Sequence, residues 1–153
     1  MRFRVLALAA GVLAVGATAV ARLTPAQAEV QTPVVTVYKS PTCGCCSEWV
    51  EHMKANGFEV RAVDLDDLTE VKQASGVPIP LRTCHTALVG DYVIEGHVPA
   101  DLVKKMLAEK PNAAGLAVPG MPMGSPGMEG TPKQAYDVLL FQKNGKTTVF
   151  AKR

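Results

Sequence analysis

Val34-Val35-Thr36-Val37-Tyr38-Lys39-Ser40-Pro41-Thr42-Cys43-Gly44-Cys45-Cys46 is the stretch whose reading decides the fold. Its β-branched and aromatic start reads as a buried strand. Lys39-Ser40-Pro41-Thr42 reads as a turn, and residues 45–56 as a helix with Trp49, Val50 and Met53 on one face. A strand thus delivers three thiols to the opening of a helix. Open α/β sheets commonly place their sites at the C-terminal ends of strands.

Outward from this stretch, Asn56-Gly57 stops the helix, and the alternating Phe58–Val63 run gives a second strand ending near Asp64. The crossover predicts two parallel strands joined right-handedly. Leu68–Ala74 reads as a short helix, and Val77-Pro78-Ile79-Pro80 is too proline-rich for a helix or central strand. Thr83–Val89 and Tyr92–Glu95 form a hairpin about Gly90-Asp91, and Pro99 and Asp101 open a helix with Leu102, Val103, Met106 and Leu107 as its apolar stripe. Residues 111–132, with five prolines and five glycines, read as one long loop. Val138–Gln142 and Thr147–Ala151, joined through Asn144-Gly145, make a C-terminal β-hairpin.

The first 28 residues read as an export signal. Arg2 and Arg4 precede an uncharged run from Val5 to Ala21, and Ala26-Gln27-Ala28 supplies a signal-peptidase pattern. The alternative is an uncleaved anchor, but the run is at the lower length limit for spanning a bilayer. The expected division is a signal peptide over 1–28 and a metal-binding domain over 29–153, with no stable membrane insertion after cleavage. Of the 16 Lys and Arg residues, Arg2, Arg4 and Arg22 lie in the signal; the remaining 13 face 14 acidic residues, a net charge of −1. No basic cluster survives, which argues against a nucleic-acid partner.

The chain has four cysteines, and three of them fall within four positions. Neighbouring Cys45 and Cys46 cannot easily bond each other, and such a cluster staples no long loop. Cys43 and Cys46 make a C-x-x-C pair at a helix N-terminus, where unsatisfied N–H groups and the dipole favour thiolate. Cys45 points about 100° away from Cys46 around the helix, so it is no simple duplicate and can bridge to a second ion. Soft thiolates suit Cu(I), zinc or iron-sulfur. Zinc sites usually show two spaced cysteine pairs, and an exported protein is a poor home for an iron-sulfur cluster, which leaves Cu(I) or a dithiol/disulfide couple.

Met121, Met123 and Met128 add thioethers, which suit Cu(I) without deprotonation; methionines also commonly fill apolar gaps. His85 adjoins Cys84, although strand alternation predicts opposite faces, so its role stays open. His97 is assigned to a hydrogen-bonded turn or the surface, and His52 to the exposed side of the first helix. Asp64, Asp66, Asp67 and Glu70 read as a solvated helix start.

Three motifs in order resemble the bacterial CopG-type copper-resistance proteins, part of a larger family long listed as of unknown function. They are residues 36–46, Arg82-Thr83-Cys84-His85-Thr86 and residues 115–129. The resemblance implies a thioredoxin-like α/β domain with a Met/Pro/Gly-rich loop, a periplasmic location and a cysteine-held copper site. It places the family's C-x-C-C cysteines on Cys43, Cys45 and Cys46 and its later cysteine on Cys84. In a thioredoxin-like fold the segment entering the third strand packs opposite the C-x-x-C, so Cys84 faces the cluster. Where thioredoxins carry a cis-proline opposite the C-x-x-C, this chain has Thr83-Cys84, which invites metal.

Three functions stay open. One is copper resistance or homeostasis, with several Cu(I) ions on Cys43, Cys45, Cys46 and Cys84, possible contributions from Met121, Met123, Met128 and His85, and possible Cu(I)/Cu(II) interconversion. Its partners would be copper ions and other periplasmic copper-handling proteins. The second is a thiol-disulfide oxidoreductase, with Cys43 as nucleophile and Cys46 as resolving thiol. The third is a domain that zinc or disulfides merely stabilise.

Overall fold

A computed structural model describes residues 33–153. The export signal read at 1–28, with its cleavage point, lies outside the described residues. The described chain runs β1 (Val35–Lys39), α1 (Gly44–Ala55), β2 (Val60–Asp64), α2 (Thr69–Ala74), a 3-10 turn (Ile79–Leu81), β3 (His85–Val89), β4 (Tyr92–Glu95), α3 (Ala100–Glu109), β5 (Gly115–Ala117), β6 (Asp137–Phe141) and β7 (Thr147–Lys152). The strands form one mixed sheet of seven, ordered β2-β1-β3-β4-β5-β6-β7. β1 pairs with β2 in parallel, as the crossover required, and with β3 antiparallel. Among the described residues no helix is long and apolar enough to cross a membrane.

Period-2 alternation divides the apolar residues between the two sheet faces. Val35, Val37, Ala87, Val89, Ile94, Leu116 and Val138 cluster with Trp49, Val50 and Met53 of α1 and with Leu102, Val103 and Met106 of α3. Their neighbours Val93, Ala117 and Phe141 cluster instead with Val77 and Leu81 around the 3-10 turn. Each fully buried Val, Leu, Ile or Met contributes roughly 1.5–3 kcal/mol. The apolar stripes of α1 and α3 therefore hold both helices to one face and fix the direction in which α1 presents its N-terminus.

One expectation is corrected. Residues 111–132 are not a continuous loop, because Gly115–Ala117 forms β5, parallel to β4 and antiparallel to β6. Three residues amid prolines and glycines carry no readable period. Gly115 is needed there, because a Cβ would overlap the Val93 carbonyl of β4. The strand read from Thr83 begins at His85, two residues later. The C-terminal hairpin pairs as expected, with a register shift between Val138 and Leu139.

Candidate metal centre

Three backbone crossings at one end of the sheet build the site. β1 delivers the chain into Cys43, which occupies the N-cap of α1 without making a side-chain cap. Lys39 at the end of β1 lies opposite His85 at the start of β3, so Cys84 enters the sheet beside the α1 N-terminus. Thr86 lies opposite Glu95, and Gly96 N–H donates to the His85 carbonyl at 3.1 Å. His97, two residues beyond β4, therefore arrives at the same end.

The sulfurs of Cys43, Cys45, Cys46 and Cys84 all lie within 4.8 Å of one another. Cys43 and Cys46 are joined in a disulfide, while Cys45 and Cys84 are free thiols of intermediate exposure. Cys45 Sγ is 3.5 Å from Cys43 Sγ. Burial, with the adjacent Cys45 next in weight, pushes the Cys84 thiol up to about 12, against a weaker pull downward from Lys72. The same end therefore offers a disulfide that can accept two electrons, or four thiols once that bond is opened.

Both histidines behind Cys84 are fully buried. His97 Nε2 lies 3.0 Å from Cys84 Sγ, and its Nδ1 lies 2.7 Å from the Pro126 carbonyl. Of the two expectations for His97, the hydrogen-bonded bend holds and the surface position does not, since the residue is fully buried. Pairing of β3 with β4 carries it inward, which a lone histidine after a glycine does not announce. His85 Nδ1 is 3.4 Å from Cys84 Sγ, its ring packs against Trp49 at 4.5 Å, and its Nε2 has no hydrogen-bond partner among the described residues. Alternation does not separate His85 from Cys84, because Cys84 precedes the regular strand. Burial holds both imidazoles below the usual histidine range, His85 far below it. His52 is also not simply exposed, since its Nε2 accepts the Ala100 N–H at the start of α3 at 3.1 Å.

A buried ion pair lies beneath Thr83-Cys84. Lys72 Nζ donates to Glu95 Oε1 at 2.7 Å and to Thr86 Oγ1 at 2.9 Å. Thr86 Oγ1 donates to Glu95 Oε2 at 2.7 Å, and the Thr83 N–H to Glu95 Oε1 at 2.6 Å. The Glu95 carboxylate thus tethers the residue before Cys84. Sequence reasoning missed this network, because nothing in a short helix marks Lys72 as its inward-facing residue. Asp64, Asp66, Asp67 and Glu70 are exposed, as read.

The methionine loop is docked on the site by its backbone. Besides the Pro126 carbonyl on His97, Gly127 sits so close that a Cβ would lie 2.6 Å from the Cys45 carbonyl and 2.9 Å from the Trp49 nitrogen, at φ +81°. Only glycine fits that conformation and that approach. Met121 is exposed, with φ +51°, and Met123 and Met128 are partly buried. Among the His, Cys, Asp and Glu side chains of the described residues, His85 and His97 are those gathered with Cys84.

A family model described as a protein of unknown function, DUF411, matches residues 81–128, which span Cys84, both buried histidines and the methionine loop. No curated protein matches. Two solved structures titled copper resistance protein copG, form 2 and form 1, superpose with TM-scores of 0.75 and 0.74. Each is 41% identical to this chain, over 80% of this chain and 98% of the solved one.

Proposed function

This chain belongs to the family of the copper resistance protein copG, and from that premise we propose that it is an exported, periplasmic copper-binding protein that holds more than one Cu(I) on Cys43, Cys45, Cys46 and Cys84. The observation that carries the reading is the convergence of four sulfurs within 4.8 Å. The donor set is soft and suits Cu(I). Four thiolates around a single Cu(I) would carry a net charge of −3. Several ions sharing sulfurs lower that charge, which a half-buried site favours. The strand order β2-β1-β3-β4, with β1-α1-β2 followed by β3-β4-α3, supports the thioredoxin-like reading of this half.

The Cys43–Cys46 disulfide supports a redox extension. Forming it from the dithiol releases two electrons, the number that reduces two Cu(II) to Cu(I). Copper reduction and disulfide formation can therefore balance within one site. The same bond favours the second reading, a thiol-disulfide oxidoreductase that uses Cys43 and Cys46 without metal. Cys45 and Cys84 weigh against it, because they bring two further sulfurs that the pair does not need. Met121, Met123 and Met128 would serve capture at the rim rather than the core of the cluster.

Anaerobic titration of the reduced chain with Cu(I) against a competing chelator tests the proposal. Uptake of more than one Cu(I) per chain, reduced by Cys45→Ala and by Cys84→Ser, is expected. Uptake of one equivalent or less that is indifferent to Cys45→Ala overturns the cluster and promotes the metal-free oxidoreductase.

A further inference from the structure

Two ligand sets share one atom, the Cys84 sulfur. Besides the four thiols, Cys84, His85 and His97 also bring their ligand atoms within 4.8 Å of one another. The state of the Cys43–Cys46 pair decides which set is available. When the disulfide is formed, two of the four sulfurs lose their ligand capacity, and the thiolate cluster cannot assemble. Cys84 and both imidazoles are untouched by that bond.

The histidines are arranged as ligands rather than as packing. The partner of His97 Nδ1 is the Pro126 carbonyl, which can only accept, so in the neutral ring the proton sits on Nδ1. The lone pair is then on Nε2, the atom that faces Cys84 Sγ. A backbone carbonyl that fixes tautomer and ring orientation is the usual support behind a metal-bound imidazole. His85 is buried beside it with Nδ1 3.4 Å from Cys84 Sγ and Nε2 without a hydrogen-bond partner among the described residues, and the two ring centroids are 5.0 Å apart. In a tetrahedral site with bonds near 2.3 Å to sulfur and 2.0–2.1 Å to nitrogen, S···N separations are about 3.6 Å. The observed 3.0 and 3.4 Å need to open only slightly to reach that spacing.

We propose that the disulfide form of this protein binds one divalent transition-metal ion through Cys84, His85 and His97, so that the Cys43–Cys46 bond switches the site from a soft thiolate cluster to a mixed nitrogen-sulfur set. Two neutral imidazoles and one thiolate form a borderline donor set that suits divalent copper, zinc or cobalt better than a bare thiolate cage does. Three protein ligands leave a position open for water or an exchanging ligand. The inference deepens the copper reading and rests on it for the identity of the physiological ion, but not for the existence of the site.

The test uses the disulfide form of the mature chain and Co(II), which does not oxidise the remaining thiols as Cu(II) would. Uptake of one Co(II) per chain is expected, with a thiolate-to-metal charge-transfer band and paramagnetic shifts on the ring protons of both His85 and His97. Cys84→Ser should abolish the band. His97→Gln should weaken binding by about tenfold or more, as loss of a ligand's support alone already does. No uptake, or uptake that needs Cys45 and leaves both imidazoles unshifted, overturns the proposal. The imidazole shifts are read in the unsubstituted protein, so a variant that folds poorly does not blur the result. Multiple Cu(I) uptake by the reduced chain with no Co(II) uptake by the disulfide form would sink this inference alone. Co(II) binding without multiple Cu(I) uptake would sink the cluster and leave the inference standing.

Discussion

The two halves of the sheet are built by different rules. In the half formed by β2, β1, β3 and β4, with the helices between them, the interior contains Lys39, Lys72, His85, Thr86, Glu95 and, just beyond β4, His97. In the half formed by β5, β6 and β7, the buried strand residues are Gly115, Leu116, Ala117, Val138 and Phe141, none of them charged. Every strand residue of β7 keeps some exposure. Buried charges and imidazoles cost free energy unless each is paired, so their confinement to one half marks where stability has been exchanged for a site. The other half completes the sheet, and the segment between β5 and β6 caps the site.

The sharpest way to break this comparison is Lys72→Met. It leaves the Glu95 carboxylate buried without its cation, at a cost of about 3–5 kcal/mol, read by urea unfolding. The double variant Lys72→Met/Glu95→Leu should recover most of that loss, since an apolar replacement of a buried pair is often neutral. If Lys72→Met unfolds like the unsubstituted chain, the ion pair is not what holds Thr83 and Cys84.

Gly127→Ala is the next test. A Cβ at φ +81° meets the Cys45 carbonyl and the Trp49 nitrogen, so the loop must lift, at roughly 1–3 kcal/mol for the strained conformation. Cys45 and Cys84 should then be alkylated faster. Equal rates would mean that the loop does not cover the site.

A pH series separates the halves without substitution. Burial lowers His85, His97 and His52 from the ordinary 6.5. The unfolded chain then binds more protons than the native one below about pH 6.5. The stability these groups contribute is present above that pH and is lost as pH falls through and below it. Cys84, raised from 9.0 to about 12, acts in the opposite sense. Its contribution is complete below pH 9 and is lost as pH rises from 9 towards 12. Melting temperatures of the metal-free chain should therefore fall at both ends, and Cys84→Ser should flatten the alkaline arm. A flat acid arm would mean that the imidazoles are not held neutral.

The smallest effect belongs to the far strand. Val149→Ser on β7, where the side chain is exposed, should change stability by no more than about 0.5 kcal/mol. A loss comparable to that of Lys72→Met would erase the distinction between the halves.

Much of this was legible in the residues. Val35–Lys39, the helix behind Cys43, the β3-β4 hairpin and the C-terminal hairpin each carry their own local period or turn signal, and the C-x-C-C announces soft-ligand or redox chemistry without a fold. β5 escaped because three residues hold no period. Lys72 and Glu95 escaped because a charged residue gives no sign in sequence that it will be buried against a partner 23 positions away. His97 escaped because its role depends on strand pairing and on a carbonyl 29 positions further along the chain.

By itself, then, the sequence determined the strand-to-helix delivery of three thiols, the parallel first crossover and the soft character of the site, since all three follow from short-range spacing and side-chain chemistry. Cys84 was placed beside the cluster by the family resemblance; the tertiary structure alone decided that it also meets two buried imidazoles, and that a glycine in the methionine loop packs against the site. Those outcomes depend on the register of β3 against β1 and β4, which sets where the residues flanking these strands arrive.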